Sequence, residues 1–209
     1  MRSSHLRSAP AVAARQRCLA ALAATLLLGA CALPERPPAP VLYDFGPAAV
    51  PAAAAALRPP LALRVQASPA LDSHAMLYRL AYADAQQLRA YTQSRWAMAP
   101  AELLQQRLRD GLGRHYALVQ PGAAGARLLL IEVEEFSQVF SAPAESSGLL
   151  RLRVTVLQSG SAGEQLLGQR EWQLQHPAAS ADAAGGVRAL NAASAALVPE
   201  LVQWLQTQR

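Results

Sequence analysis

Apolar and polar positions alternate over several stretches of this chain. Leu61, Leu63 and Val65 alternate with Ala62, Arg64 and Gln66, the period of two that marks a half-buried strand. Met76, Tyr78, Leu80 and Tyr82 alternate with Leu77, Arg79 and Ala81, and Leu88 to Ala97 reads as a third strand. The period then lengthens. Leu104, Leu108 and Leu112 recur every four residues with Leu103 beside them, which predicts a short amphipathic helix. Pro100 and Glu102 suit its first turn, and Gly113 suits its stop. Strand spacing returns with Leu129, Ile131 and Val133 against Leu130, Glu132 and Glu134, and the phase slips around Glu135-Phe136 as a bulge would cause. A Pro/Ser/Gly loop is expected over 141–148. Leu150, Leu152, Val154 and Val156 then alternate with Arg151, Arg153 and Thr155. After a Ser/Gly turn at 159–163, Trp172 and Leu174 alternate with Glu171, Gln173 and Gln175. In the tail, Val187, Leu190, Ser194, Leu197, Leu201 and Trp204 or Leu205 stand three or four apart, a helix laid over the sheet. Gly185 and Gly186 weaken its start, and Pro199 should bend or split it.

The order is three strands, a helix, three or four strands and a helix. It predicts an α+β domain: a mainly antiparallel or mixed sheet of about six strands with two helices packed on one face. No internal repeat of the solenoid type is present.

Ahead of these elements the pattern differs. Arg15 and Arg17 precede an apolar run from Cys18 to Leu28, followed by Gly29, Ala30 and Cys31. Positive flank, short apolar core and small-residue cleavage site are the order of a secretory signal. A membrane-crossing helix needs ~20 apolar residues, and this run is shorter. Cysteine directly after the cut resembles the lipobox of bacterial lipoproteins, in which the thiol is acylated and becomes the first mature residue. The expected organisation is a signal peptide over 1–30, a Pro/Ala-rich tether over 31–60 and a folded domain over 61–209. Ala32, where aspartate often marks inner-membrane retention, favours anchoring at the outer membrane.

The signal also changes the electrostatic picture. The chain has 19 basic and 14 acidic residues, net +5, with no lysine. Arg2, Arg7, Arg15 and Arg17 leave with the signal, so 15 minus 14 leaves +1. A nearly neutral domain with scattered arginines lacks the basic face of a nucleic-acid binder. Loss of Cys18 and acylation of Cys31 would leave no disulfide, so the domain must rely on its core.

A search for chemistry finds little. His74, His115 and His176 have no second ligand at helical or turn spacing, so neither metal nor cofactor is expected. Ser161 between Gly160 and Gly163 has the wrong spacing for a nucleophile elbow. Glu132, Glu134 and Glu135 read as a solvated strand face paired with Arg151 or Arg153 on a neighbour. No catalytic constellation emerges, and no enzymatic activity is expected.

Leu71-Asp72, Tyr78-Arg79, Tyr91, Arg95-Trp96-Ala97, Pro100 and the Leu103-Leu104 helix, taken together, resemble the ABC-type transport auxiliary lipoprotein family. The lipobox, the Pro-rich leader and Trp204 in the last helix also fit. Tyr43-Asp44-Phe45 departs from the family's more frequent Tyr-x-Leu, and Pro199 interrupts a helix the family usually keeps whole. The resemblance implies a non-enzymatic periplasmic lipoprotein anchored to a membrane. Its expected partners are a mammalian-cell-entry (MCE) domain protein and ABC transporter components that move lipid between envelope membranes, and a homo-oligomer is left open. It would act as a docking module, the alternative being a lipid-binding carrier. Arg79, Arg95, Tyr78, Tyr91 and Trp96 are the candidate contacts to a partner or lipid, the arginines because they stand beside aromatics. The three aromatics suit a core equally well.

Overall fold

The computed structural model describes residues 38–47, 59–160 and 163–208. The expected signal peptide, Cys31, most of the tether and Ser161 lie outside these residues. From Ala39 onward the chain forms one compact unit.

Among the described residues one mixed sheet has eight strands: β1 Val41–Tyr43, β2 Pro60–Ala67, β3 Ala75–Leu80, β4 Ala85–Trp96, β5 Ala117–Val119, β6 Arg127–Ala142, β7 Glu145–Gly160 and β8 Gly163–Pro177. The helices are α1 Ala81–Asp84, α2 Pro100–Leu112 and α3 Ala183–Thr207, with a 3₁₀ turn at Pro69–Leu71. The class is α+β with a mixed sheet, as expected, and the about six strands and two helices of the expectation are joined by short elements that bring the described set to eight and three. β1 and β5 have three residues each, too few to display an alternation, and α1 is a single turn between two strands.

β6 organises the sheet. β2 lies parallel to its first half, from Leu61 opposite Arg127 to Ala67 opposite Val133. β3 lies parallel to its second half, from Tyr78 opposite Gln138 to Leu80 opposite Phe140. The two are therefore successive pieces along one edge of β6, separated by the turn that Pro69 begins. β7 runs antiparallel along the other edge, with β8 beyond it. β5 lies parallel outside β2, β4 antiparallel to β3, and β1 parallel to β4. The sheet is thus not a plain antiparallel meander. Between β2 and β6 the chain passes through β3, β4 and α2, the long crossover that parallel pairing demands.

The expected bulge is present in β6, where the register shifts between Val133 and Glu135. It keeps Phe136 on the same buried side as Leu129, Ile131 and Val133, and it turns both Glu134 and Glu135 outward. Leu103, Leu104, Leu108 and Leu112 of α2, with Leu190, Leu197, Leu201 and Leu205 of α3, close over this side and over Leu150, Leu152, Val154 and Val156. Burying each such side chain contributes roughly 1.5–3 kcal/mol.

Two local expectations are corrected. Ala142 pairs with Glu145, so the loop expected over 141–148 contracts to a two-residue turn at Pro143-Ala144. Gly148 sits in β7 because α3 crosses there; a Cβ would stand 2.6 Å from the Leu190 nitrogen and 2.8 Å from the Ala189 carbonyl carbon. Nor is α3 split at Pro199. Leu197, Leu201, Val202 and Leu205 stay buried on both sides of the proline. Their packing outweighs the ~3 kcal/mol that an interior proline costs.

Candidate functional site

Three clusters gather the signature residues. The first joins the tether to the core. Val41, Leu42 and Tyr43 pair with Ser94, Arg95 and Trp96. Pro40, which has no N–H, precedes them immediately and limits β1 to three residues. Ala97 donates its N–H to the Tyr43 carbonyl at 2.7 Å, and Asp44 Oδ1 accepts from the Gly46 N–H at 2.8 Å. This turn drives the Phe45 ring against Trp96, edge-on at 5.9 Å, and against Phe136 at 6.2 Å. The Arg107 guanidinium sits 5.6 Å from the centre of the same ring. Its Nη2 donates to the Phe45 carbonyl at 3.0 Å and to Asn191 Oδ1 at 2.6 Å, while Asn191 Nδ2 donates to that carbonyl at 3.2 Å. Trp96 is 1% exposed, so it serves the core and holds the tether rather than facing a ligand.

In the second cluster, the Tyr78 and Tyr91 rings pack at 4.6 Å, tilted by 41°, with Phe140 edge-on to Tyr78 at 5.9 Å. The Tyr91 hydroxyl donates to Gln138 Oε1 at 2.9 Å, and Gln138 Nε2 donates to Ser146 Oγ at 2.7 Å. Gln138 is buried, so both ends of its amide need partners and both have them. Gly186 lies directly over Gln138, where a Cβ would collide with the amide oxygen. Gly186 thus permits close approach to the sheet, and Gly185 close approach to Ser180 in the loop before the helix. Asp182 offsets their poor helix propensity by accepting the Gly185 N–H at 2.7 Å. Burial, with Tyr78 and Asp182 nearby, pushes the Tyr91 hydroxyl up to about 12. Asp182 is held below the usual carboxylate range by the Ser180 hydroxyl, the Gly185 N–H and Arg188.

The third cluster is on the helix-free face. Arg79 Nε and Nη2 reach Glu135 at 3.3 and 3.1 Å, and Arg79 Nη1 donates to the carbonyls of Ala85 and Gln86. Ser137, fully buried, donates to Glu135 Oε1 at 2.6 Å. Glu134 bridges Arg151 and Arg153, each at 3.1 Å, and Arg153 also meets Glu171 at 2.8 Å. Of the three glutamates only Glu134 pairs with Arg151 and Arg153 as expected; Glu135 goes to Arg79, and Glu132 accepts from Gln66 Nε2 at 3.1 Å. Arg95 folds back on its own strand, donating to the carbonyls of Tyr91 and Ser94.

Trp96 and Tyr91 therefore belong to different clusters, and Arg79 to a third. Phe45, Arg107, Asn191, Gln138 and Glu135 complete them; Arg107, Asn191 and Gln138 carry no signal in the sequence, and the partners of Phe45 and Glu135 could not be read from it. Only the apolar island Val41-Leu42-Tyr43-Asp44-Phe45 among prolines hints at the first. Among the described residues, no group of three His, Cys, Asp or Glu could hold a metal. His74 Nδ1 lies 3.1 Å from the Trp96 carbonyl, a local bond near the first cluster. An open hollow of about 590 Å³ near the β6–β7 turn has a mixed lining, with Ser146, Ser147 and Gln175 beside Ala144, Pro177 and Ala178.

A family described as the ABC-type transport auxiliary lipoprotein component matches residues 43–202. Among solved structures, a Xanthomonas campestris protein of the DUF330 family superposes with a TM-score of 0.66 at 19% identity, over 79% of this chain and 94% of that one. A second, described as an uncharacterized protein, superposes with a TM-score of 0.62 at 14% identity, over 80% and 99%. These likenesses are of fold. No curated protein sequence matches the chain.

Proposed function

The chain belongs to the ABC-type transport auxiliary lipoprotein family, and from that premise we propose that it is a docking module of an MCE-type transporter that moves lipid between envelope membranes. In this reading Cys31 is acylated after export, residues 1–30 are removed, and the anchor holds the domain in the periplasm at the outer membrane. The module performs no chemistry of its own. Family membership carries a membrane-anchored transport auxiliary; the lipid cargo, the MCE partner and the outer-membrane address are the finer steps proposed.

The observation that supports the docking role is the first cluster. The segment leading to the anchor is built into the domain through β1, the Phe45 ring and the Arg107–Asn191 bonds. A module that ties a transporter to a bilayer has to transmit load between its anchor and its body, and this join does so. The carrier reading needs room for an acyl chain between sheet and helices. That space is filled by Trp96, Phe136, Leu104, Leu108 and Leu197, each at most 1% exposed.

Photo-cross-linking in cells tests the proposal, because a chain without lysine offers no side-chain amine to amine-reactive reagents. Recovery of an MCE-domain protein or a transporter subunit is expected. Cys31→Ala should move the protein to the soluble fraction. Cross-links to no transporter component would overturn the docking role, and lipid in native mass spectra of the delipidated-anchor form would favour the carrier.

A further inference from the structure

We propose that the wing of the sheet made of β1, the β3–β4 hairpin and α1 rests on the same bilayer that holds the Cys31 acyl chains, with lipid as its occupant; this rests on the anchored-lipoprotein reading above. Large apolar side chains exposed among the described residues are Val41, Leu42, Tyr82, Leu88 and Leu166. Four of them lie on this one wing: Val41 and Leu42 on β1, Tyr82 on α1 and Leu88 on β4. Leu166 lies on β8, the edge strand at the other end of the sheet. Tyr82 and Leu88 stand toward the hairpin tip, whereas Val41 and Leu42 sit about 30 Å away along β4, so the tip residues are the ones that mark a contact surface.

Chain length selects lipid as the occupant. β1 runs parallel to β4, with Val41 opposite Ser94, so its N-terminal end points back toward the hairpin tip. From Ala85 to Ser94 β4 rises nine steps of ~3.3 Å, about 30 Å. From Cys31 to Val41 is ten residues (41 minus 31), which reach at most about 33–36 Å. The acylated sulfur is therefore confined to a radius comparable with the distance from β1 to the tip. That reach caps the distance between β1 and the membrane at about 33–36 Å, and the chain enters the described unit on the wing that bears the exposed apolar groups. Tyr82 at the tip, 48% exposed, has the apolar body and polar end of an interfacial residue. Around the tip Asp84 and Arg89 offset one another, and Arg79 is paired with Glu135. Gln86 and Gln87 are exposed there too but uncharged, so the tip carries no net charge and its contact should be insensitive to salt.

The test uses the mature acylated protein in vesicles of phosphatidylethanolamine and phosphatidylglycerol. Tyr82→Cys, Leu88→Cys and Leu166→Cys variants each carry an environment-sensitive nitrobenzoxadiazole probe, the thioether at Cys31 being unreactive. All three positions are exposed, and circular dichroism checks the fold. Probes at 82 and 88 are expected to emit to the blue and to be quenched severalfold more by doxyl-labelled lipid than the probe at 166, at low and high salt alike. Protein that floats with the vesicles while 82 and 88 are quenched no more than 166 overturns this inference and leaves the anchor intact. A blue shift without lipid quenching marks a protein neighbour and overturns it as well. Protein that fails to float overturns the anchor and this inference together.

Discussion

Arg107 holds Phe45 in two ways, donating to its carbonyl at 3.0 Å while its guanidinium covers the ring at 5.6 Å. One arginine on α2 thereby secures the point where the tether enters the domain, and Asn191 on α3 shares the same oxygen. Arg107→Ala removes a charged hydrogen bond from a half-buried carbonyl and should cost about 1–3 kcal/mol. Limited proteolysis is the sharper readout. Cleavage between residues 41 and 47 should accelerate while the rest of the domain stays resistant; an unchanged cleavage pattern would remove Arg107 from the join.

Arg79 and Glu135 form a two-point pair, but the two are not equally costly to lose. The pair is partly exposed, with side chains 23% and 13% accessible, so Arg79→Ala should cost only about 1 kcal/mol. Glu135→Ala also deprives the buried Ser137 hydroxyl of its acceptor and should cost about 2–3 kcal/mol. Urea midpoints of the two variants decide this. Equal losses would mean that Ser137 finds another partner.

Tyr91→Phe leaves the packing on Tyr78 in place but strips the buried Gln138 oxygen of its donor. A loss of about 1–3 kcal/mol follows at neutral pH. The hydroxyl also titrates with a sign that can be worked out. Its folded pKa is raised from 10.0 to about 12, so its stabilising effect is complete below pH ~10 and fades as pH rises toward the folded value. The wild type should therefore lose stability between these limits more steeply than Tyr91→Phe. Parallel alkaline curves would refute the assignment.

Asp182 caps α3, and its carboxyl is held below its ordinary 3.8 chiefly by the Ser180 hydroxyl and the Gly185 N–H. A depressed folded pKa gives stability that is present above the unfolded value and is lost as pH falls below it. Asp182→Asn keeps a capping oxygen and should flatten the acid limb of the stability curve. Asp182→Ala should cost ~1 kcal/mol at neutral pH as well. Thermal melts from neutral pH down to about 3 separate the two.

The elements legible in the sequence are those with one wet face and one dry face. β2, β6, β7 and the second half of β8 announce themselves because a sheet covered on one side forces a period of two. The α2 leucines do the same at helical period. What stayed hidden depends on register between distant segments. Nothing along the chain says that β3 follows β2 on one edge of β6, so the meeting of Arg79 with Glu135 and of Tyr91 with Gln138 could not be read. Composition misled where small residues serve contact rather than flexibility. Ser146, Ser147 and Gly148 look like loop but sit in β7, because a bulkier strand would hold α3 off the sheet. Gly185 and Gly186 look like weak helix for a related reason. Pro199 showed the limit of a local rule, since packing on both sides keeps its helix whole.

The three tryptophans divide the domain optically. Trp172 on β8 and Trp204 on α3 meet edge-on at 5.1 Å, and the Trp172 Nε1–H donates to Glu200 at 2.9 Å. Two indoles this close couple as excitons and give a circular-dichroism couplet that vanishes when the last helix lifts. Trp96 stands apart from the other two beside Phe45 and answers in its emission to release of the β1 segment. Undocking at either end can therefore be followed on the unlabelled protein, each event with its own spectroscopic signal.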